Sequence, residues 1–307
     1  MTLHQNVLGV DVAKDWIDTF DLATGKARRI ETRPAALKAF AAKAQGGLVV
    51  FEASGGYERP LMEALEARGV GYARVNPRSA REFARATGRL AKTDTLDASV
   101  LAEMGHALKL EPCAPIDPAR RRLADLVARR ADLVAAITAE TNRLGQAREA
   151  FIRRDIQSHL AVLGRRKLAM EKEIEAQVRA AEQLDRIEQR LRTAPGIGPT
   201  IASTLIAWLP ELGQIDRRAI AALAGLAPQA CDSGKYRGRR KVWGGRSHIR
   251  KALFTAAVIA SRFNPAFKQA RERLLAAGKP YKVVIIALAR KLLTILNAMV
   301  RDQRDFA

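Results

Sequence analysis

Cysteine is nearly missing from this chain: of 307 residues only Cys113 and Cys231 carry a thiol, and their spacing fits neither a metal nor a redox motif. No disulfide framework is expected, and a reduced, cytoplasmic setting is the default. Aromatic residues make up only 5%, which argues against a single-strand reader built on base stacking. The longest apolar runs, such as 201–209 and 283–289, are too short to cross a bilayer, which takes about 20 residues, so no membrane partner is expected. Residues 1–5 show no charged-then-apolar export pattern. No Gly-Lys-Ser/Thr closes a phosphate loop, so nucleotide hydrolysis is not expected.

What the chain has is positive charge. The net charge is +21 and the isoelectric point about 10.7. It points to a polyanionic partner, because neutralising phosphates releases their counterions. The charge is concentrated: residues 231–307 hold 18 Lys/Arg against 4 Asp/Glu. If about 8 phosphates are neutralised, the log–log salt slope of binding is expected near −7.

The pattern changes twice along the chain. Strand signals at 7–12, 16–22 and 27–32 precede an alternation of helix (35–44, 57–68, 78–87, 94–108) and strand (48–51, 70–75). That order predicts an α/β unit over 1–112, a mixed sheet covered by helices. Residues 111–118 hold three prolines and read as a linker. From 119 to 192 proline is absent and apolar residues recur at helical spacing. This predicts a coiled-coil-like helical middle (113–192), two long helices meeting near Leu163-Gly164 as a hairpin or an intermolecular pair. Residues 193–307 read as a third, mostly helical domain.

Four acids carry the chemical signal. Asp11 closes the apolar run Val7-Leu8-Gly9-Val10, and Glu52 closes Leu48-Val49-Val50-Phe51. Asp94 and Asp97 sit three apart, so they share one face of a helix. Carboxylates at strand ends beside an acidic helical pair suit magnesium, which takes hard oxygen ligands and keeps room for substrate phosphates. Each acid also has a structural alternative: a turn residue for Asp11, a cap or ion pair for Glu52, a helix N-cap and first-turn acid for Asp94 and Asp97. Asp15, Asp18, Glu58 and Glu103 are expected to be solvated charge.

Three further segments point to phosphate contact. Pro195-Gly196-Ile197-Gly198-Pro199 lies between helices and resembles a helix-hairpin-helix turn, in which backbone N–H groups can hold a phosphate without reading sequence. Gly196 and Gly198 are its contact candidates. Asp232-Ser233-Gly234-Lys235-Tyr236-Arg237-Gly238-Arg239-Arg240-Lys241 sets hydroxyls among five cations. It suits a phosphate-binding loop, or a nucleophile beside cations that stabilise charge at phosphorus. Ser233 and Tyr236 compete for that role, with Ser247 behind them. Arg246, Arg250 and Lys251 continue the basic face.

Taken together these motifs resemble the DEDD-type transposases of bacterial insertion sequences, the bridge-RNA-guided serine recombinases. The resemblance rests on Gly9-Val10-Asp11-Val12-Ala13-Lys14, Glu52-Ala53-Ser54-Gly55-Gly56-Tyr57-Glu58, Val75-Asn76-Pro77 and Lys92-Thr93-Asp94-Thr95-Leu96-Asp97-Ala98. The Pro195–Pro199 turn, Leu223-Ala224-Gly225-Leu226-Ala227-Pro228, Ser233-Gly234 and Gly244-Gly245-Arg246 follow in family order. It implies a RuvC-like ribonuclease-H fold with Asp11, Glu52, Asp94 and Asp97 as a tetrad for Mg2+, or Mn2+ in its place. It implies Ser233 as nucleophile, a covalent serine–phosphate intermediate, donor and target double-stranded DNA, and a noncoding guide RNA. A homo-oligomer, dimer or tetramer, in a bacterial cytoplasm is implied too. The alternatives are a RuvC-like Holliday-junction nuclease, which would use water in place of serine, and a non-catalytic nucleic-acid-binding protein.

Overall fold

The computed structural model describes residues 6–89, 97–229 and 240–306 in full, and the backbone of 94–96, 232–233 and 236–237. It forms two compact units, Met1–Pro115 and Ile116–Ala307.

In the first unit β1 (Val7–Val12), β2 (Trp16–Asp21) and β3 (Lys26–Glu31) make an antiparallel meander. After α1 (Pro34–Lys43), β4 (Leu48–Glu52) joins the free side of β1 in parallel. After α2 (Arg59–Glu66), β5 (Gly71–Val75) joins β4 in parallel. The order is β3-β2-β1-β4-β5. Leu48, Val49, Val50 and Phe51 are all buried, as a central parallel strand covered on both faces requires. β3 keeps Lys26, Arg28 and Arg29 exposed, and charge on an edge strand discourages pairing with another chain. This is an α/β unit with a mixed sheet, consistent with the RuvC-like expectation, and the first and fourth strands lie side by side.

Two helices complete the unit, α3 (Pro77–Ala86) and α4 (Asp94–Ala107). Asn76 caps α3 by accepting the Arg78 N–H at 2.9 Å, with Pro77 in the first turn. Small residues let α4 lie directly on the sheet. A Cβ on Gly9 would stand 1.9 Å from the Ala98 carbonyl oxygen and 2.5 Å from the Ala102 nitrogen. One on Gly105 would stand 2.6 Å from Val50 and 3.0 Å from Val7. Gly105 thus meets the start of β1 and Ala98 its middle, so α4 runs antiparallel to β1 and opens over the strand's C-terminal end.

The second unit begins with α5 (Pro118–Gln146), α6 (Ala150–Ala180) and α7 (Glu182–Arg192). The hairpin is present but turns at 147–149, not near Leu163-Gly164. Arg153 donates back to the Leu144 and Ala147 carbonyls at 3.0 and 2.8 Å. Glu149 caps α6 by accepting the Ile152 N–H at 2.8 Å. Both orphaned helix ends are satisfied there, whereas Gly164 sits inside α6 and costs only about 1 kcal/mol relative to alanine. Arg122–Glu173 and Arg130–Glu171 pair across the hairpin at 2.8 and 2.6 Å, which makes it antiparallel.

Beyond α7 come α8 (Pro199–Trp208), α9 (Arg217–Leu223), the short strands β6 (Pro228–Gln229), β7 (Asp232–Ser233), β8 (Tyr236–Arg237) and β9 (Lys241–Val242), then α10 (Ser247–Phe263), α11 (Pro265–Ala276) and α12 (Tyr281–Arg301). β6 pairs with β9 and β7 with β8. One apolar core joins Leu123, Val127, Ile174 and Val178 of the hairpin to Leu205, Leu253, Leu288 and Leu292. Helix α12 corrects the expectation drawn from apolar runs. By length and composition it could cross a membrane, its most apolar stretch of 18 residues having a mean hydropathy of 2.0. Its apolar residues instead build this core, where Val284, Leu288, Leu292 and Leu296 are fully buried.

Candidate functional site

The β1–β4 register runs from Val7↔Leu48 to Val10↔Phe51. One step further along the same two strands stand Asp11 and Glu52. Side chains two apart on a strand share a face. Gly9 and Val50 both meet α4, so Asp11 and Glu52 point to that side as well. α4 opens with Asp94, and Asp97 immediately precedes the Ala98 that rests on Gly9. Three of the four predicted acids therefore gather at one end of the sheet, partly exposed, while the Asp94 side chain lies outside the described residues. Among the described residues no three His, Cys, Asp or Glu side chains come close enough to enclose a metal ion. The donor set is nonetheless all hard carboxylate oxygen, which fits magnesium and disfavours the softer metals.

The neighbouring acids are not solvated charge, Asp15 excepted. Asp18, opposite Asp11 across β1 and β2, is buried and accepts the Arg29 fork at 2.9 and 2.8 Å. Glu103 pairs with Arg89. Glu58 is only 2% exposed. One of its oxygens accepts from the Ser54 hydroxyl and the Gly56 N–H at 2.9 and 2.8 Å, and the other meets Arg74 at 2.7 Å. Burial pushes its carboxyl up, but backbone N–H groups, Ser54 and Arg74 outweigh that and hold it below the usual carboxylate range. Glu58 thereby ties down the loop after Glu52, where Gly55 and Gly56 take positive φ. The only sequence sign of this was a serine and two glycines just before a glutamate.

In the second unit the Pro195–Pro199 turn uses its glycines differently. Gly196 takes φ +80°, and a Cβ there would stand 2.3 Å from the Ala256 carbonyl oxygen, so it lets the turn rest on α10. Gly198 precedes α8 and has open space around its Cα. Arg246 and Arg250 also face inward. Arg246 grips Glu211 with two donors at 2.6 Å each and donates to the Trp208 carbonyl at 2.9 Å. Arg250 donates to the Gly244 carbonyl at 2.6 Å, where Gly245 and Gly225 touch through their backbones. The Leu-Ala-Gly-Leu-Ala-Pro and Gly-Gly-Arg motifs are thus two halves of one clasp. Lys251 is exposed on α10 and Arg240 and Lys241 beside β9. Ser233 ends β7, opposite Tyr236 of β8. The side chains of Ser233 and Arg237, and all of Lys235 and Arg239, lie outside the described residues.

One feature was not singled out from the sequence. A groove of about 1190 Å³ runs between α9, β9 and α12. Arg217 and Arg218 line one wall and Arg240 and Lys241 another. Lys279, Lys282, Arg290 and Lys291 come from α12 and the turn before it. Among the described residues no carboxylate lines it. The sequence signal was the charge excess after residue 230, which gave the sign but not the gathering of three separate segments.

Residues 8–150 match a DEDD transposase family of the IS110 type. Residues 188–272 match the transposase family IS116/IS110/IS902, and the two matches together cover about three quarters of the chain. The chain belongs to this transposase family. Its activity class is accordingly that of a DNA transposase or recombinase. Pilin gene-inverting proteins of Moraxella bovis and Moraxella lacunata are each 28% identical over 84% of this chain and 81% of their own length. A protein of insertion element IS110 from Streptomyces coelicolor is 30% identical over 42% of this chain and 32% of its own length.

Proposed function

We propose that this transposase cuts and rejoins DNA through a covalent serine–phosphate intermediate. What supports the reading is that Asp11 and Glu52 stand one step beyond the β1–β4 pairing, on the side of the sheet to which α4 brings its Asp97 turn. With Asp94 these acids would hold Mg2+, or Mn2+ in its place, which supplies Lewis-acid stabilisation of charge on the phosphate oxygens. The Ser233 oxygen attacks phosphorus, its proton passes to a carboxylate of the tetrad, and the bond to a deoxyribose oxygen breaks. That oxygen leaves as a hydroxyl after taking up a proton. A second deoxyribose hydroxyl then attacks the serine ester, joins the new strand and frees Ser233. One phosphoester replaces another at each step, so joining needs no nucleotide hydrolysis.

Donor and target double-stranded DNA are the substrates, and a noncoding guide RNA chooses the sites. RNA pairing leaves the protein to read backbone and shape, which suits a basic chain with few aromatics. The protein works as a homo-oligomer, dimer or tetramer, in the bacterial cytoplasm. The test is Ser233→Ala on the full chain with its DNA and Mg2+. Loss of the protein–DNA adduct and of strand joining is the expected result. Undiminished cutting without any adduct would instead identify a RuvC-like nuclease that uses water. Unchanged recombination after Asp11→Ala would leave a non-catalytic binding role.

A further inference from the structure

We infer that the groove between α9, β9 and α12 is a track for one phosphodiester strand, held by its phosphates and not by its bases. On α12 two adjacent stripes, Lys282-Ile286-Arg290-Thr294 and Val283-Ala287-Lys291, face the groove, as spacing by four requires, and Lys279 joins them from the turn before the helix. Cations stand at both ends of the apolar middle. Lys282 and Arg290 are eight residues apart, roughly 12 Å along a helix. Arg217, Arg218, Arg240 and Lys241 face them from the other walls.

Two observations select the occupant. The first is the hydrogen-bond accounting of the cations. Arg120, Arg246 and Arg250 spend their donors on carbonyls and carboxylates of the protein itself. Among the described residues no ion pair engages a groove cation, and the nearby Asp216 spends its carboxylate on the Arg218 and Ala219 N–H groups. Lined among the described residues by eight cations and no acid, the groove complements a polyanion. The second is the floor, where among the described residues Leu226, Val242 and Ile286 offer apolar contact and no aromatic ring. Such a floor accommodates sugars and stacks no bases. β9 pairs with β6 and follows the Ser233 segment in the chain after β8, so the groove wall and the serine belong to one stretch of sequence. That last link rests on the proposed role of Ser233, while the binding itself does not.

The test is equilibrium binding by the full chain without divalent metal, so that no chemistry takes part. Fluorescent single-stranded DNA, duplex DNA and RNA of one sequence are titrated across a salt series. Lys282→Gln/Arg290→Gln is expected to weaken binding at low salt at least tenfold. It should also reduce the log–log slope by about 1.4 on single strands or about 1.8 on a duplex, and the probe most affected identifies the strand. Arg217→Gln/Arg218→Gln should act alike, while Lys268→Gln/Arg273→Gln, exposed on α11, should move the slope less. Melting temperature checks that each variant is folded. Unchanged slopes on all three probes in both groove variants would overturn the track. So would lost binding to polyglutamate with nucleic-acid binding intact, which would mark a site for acidic protein. Neither result depends on Ser233, so the strand track and the serine mechanism fail separately.

Discussion

The acids of the first unit and the cations of the second are sorted by the same criterion but held by different means. On the sheet, Asp11 and Asp18 face each other across β1 and β2. Asp18 is buried under Arg29, while Asp11 lies at the strand end beneath the opening of α4. On the helices, Arg246 is locked to Glu211, while Lys282 stands exposed in a groove with no acid among its described residues. In both units one residue type does two jobs, and burial tells them apart: Asp18 is more buried than Asp11, and Arg246 more than Lys282. A sheet fixes neighbours by register, so its acids are placed by the backbone. Helices must be tied by side chains, so part of the second unit's positive charge is consumed in holding clasps together.

The sharpest way to break this comparison is to neutralise the two facing aspartates in turn. Asp11→Asn is expected to lower strand cleavage on the order of 10³-fold or more, as losing one member of a concerted group does, with salt-dependent binding unchanged. Asp18→Asn is expected to cost about 1 kcal/mol, since its guanidinium partner is half exposed and screened, and to leave the rate per folded molecule alone. Cleavage assays paired with denaturant melts decide. Equal activity loss in both variants would erase the distinction between them.

Glycine substitutions test how each unit brings its elements together. Gly9→Ala forces a methyl onto the Ala98 carbonyl, and overpacking of this kind costs about 3 kcal/mol. It also lifts the turn bearing Asp97 away from Asp11, so cleavage should fall beyond the loss of folded protein. Gly196→Ala meets both positive φ and the Ala256 carbonyl, and should cost as much stability without that extra loss. Urea titration beside cleavage normalised to folded protein separates the two.

How far the sequence disclosed this is instructive. Strands and helices of the first unit were legible to within two residues, because alternation and 3.6-residue spacing are local signals. Asp11, Glu52 and Asp97 stood out as candidates because each lies near the end of an element: Asp11 one residue before the end of β1, Glu52 at the end of β4 and Asp97 in the first turn of α4. The tie between Glu58 and Arg74 was not legible, because it joins a loop to a strand that pairing alone brings near. The hold of Arg246 on Glu211 was hidden for the same reason, since the two are 35 residues apart. The groove needed three segments assembled by tertiary packing, which no local pattern encodes.

Glu58 makes that hidden tie measurable by pH. Its folded-state carboxyl titrates below the ordinary range, so its stabilisation is complete above the unfolded value and is lost as pH falls through the folded one. Glu58→Gln should destabilise the first unit by about 2 kcal/mol at neutral pH, leaving Arg74 without its buried partner. The variant should lose less additional stability on acidification than the parent. Melts over the acid limb check this, and parallel curves would remove Glu58 from the account.

The smallest effect should be a gain. Gly164 lies within α6, with nothing within 4 Å of where a Cβ would sit, and it is absent from the positive-φ glycines. No turn needs it, because the hairpin turns at 147–149, where Glu149 and Arg153 satisfy the helix ends. Gly164→Ala should therefore stabilise the second unit by about 0.7 kcal/mol, chiefly by restricting the unfolded chain. A rise in melting temperature with unchanged binding and cleavage is the expected result. A fall would mean that α6 bends at Gly164 in the working protein, and the boundary expected from the sequence would regain its meaning.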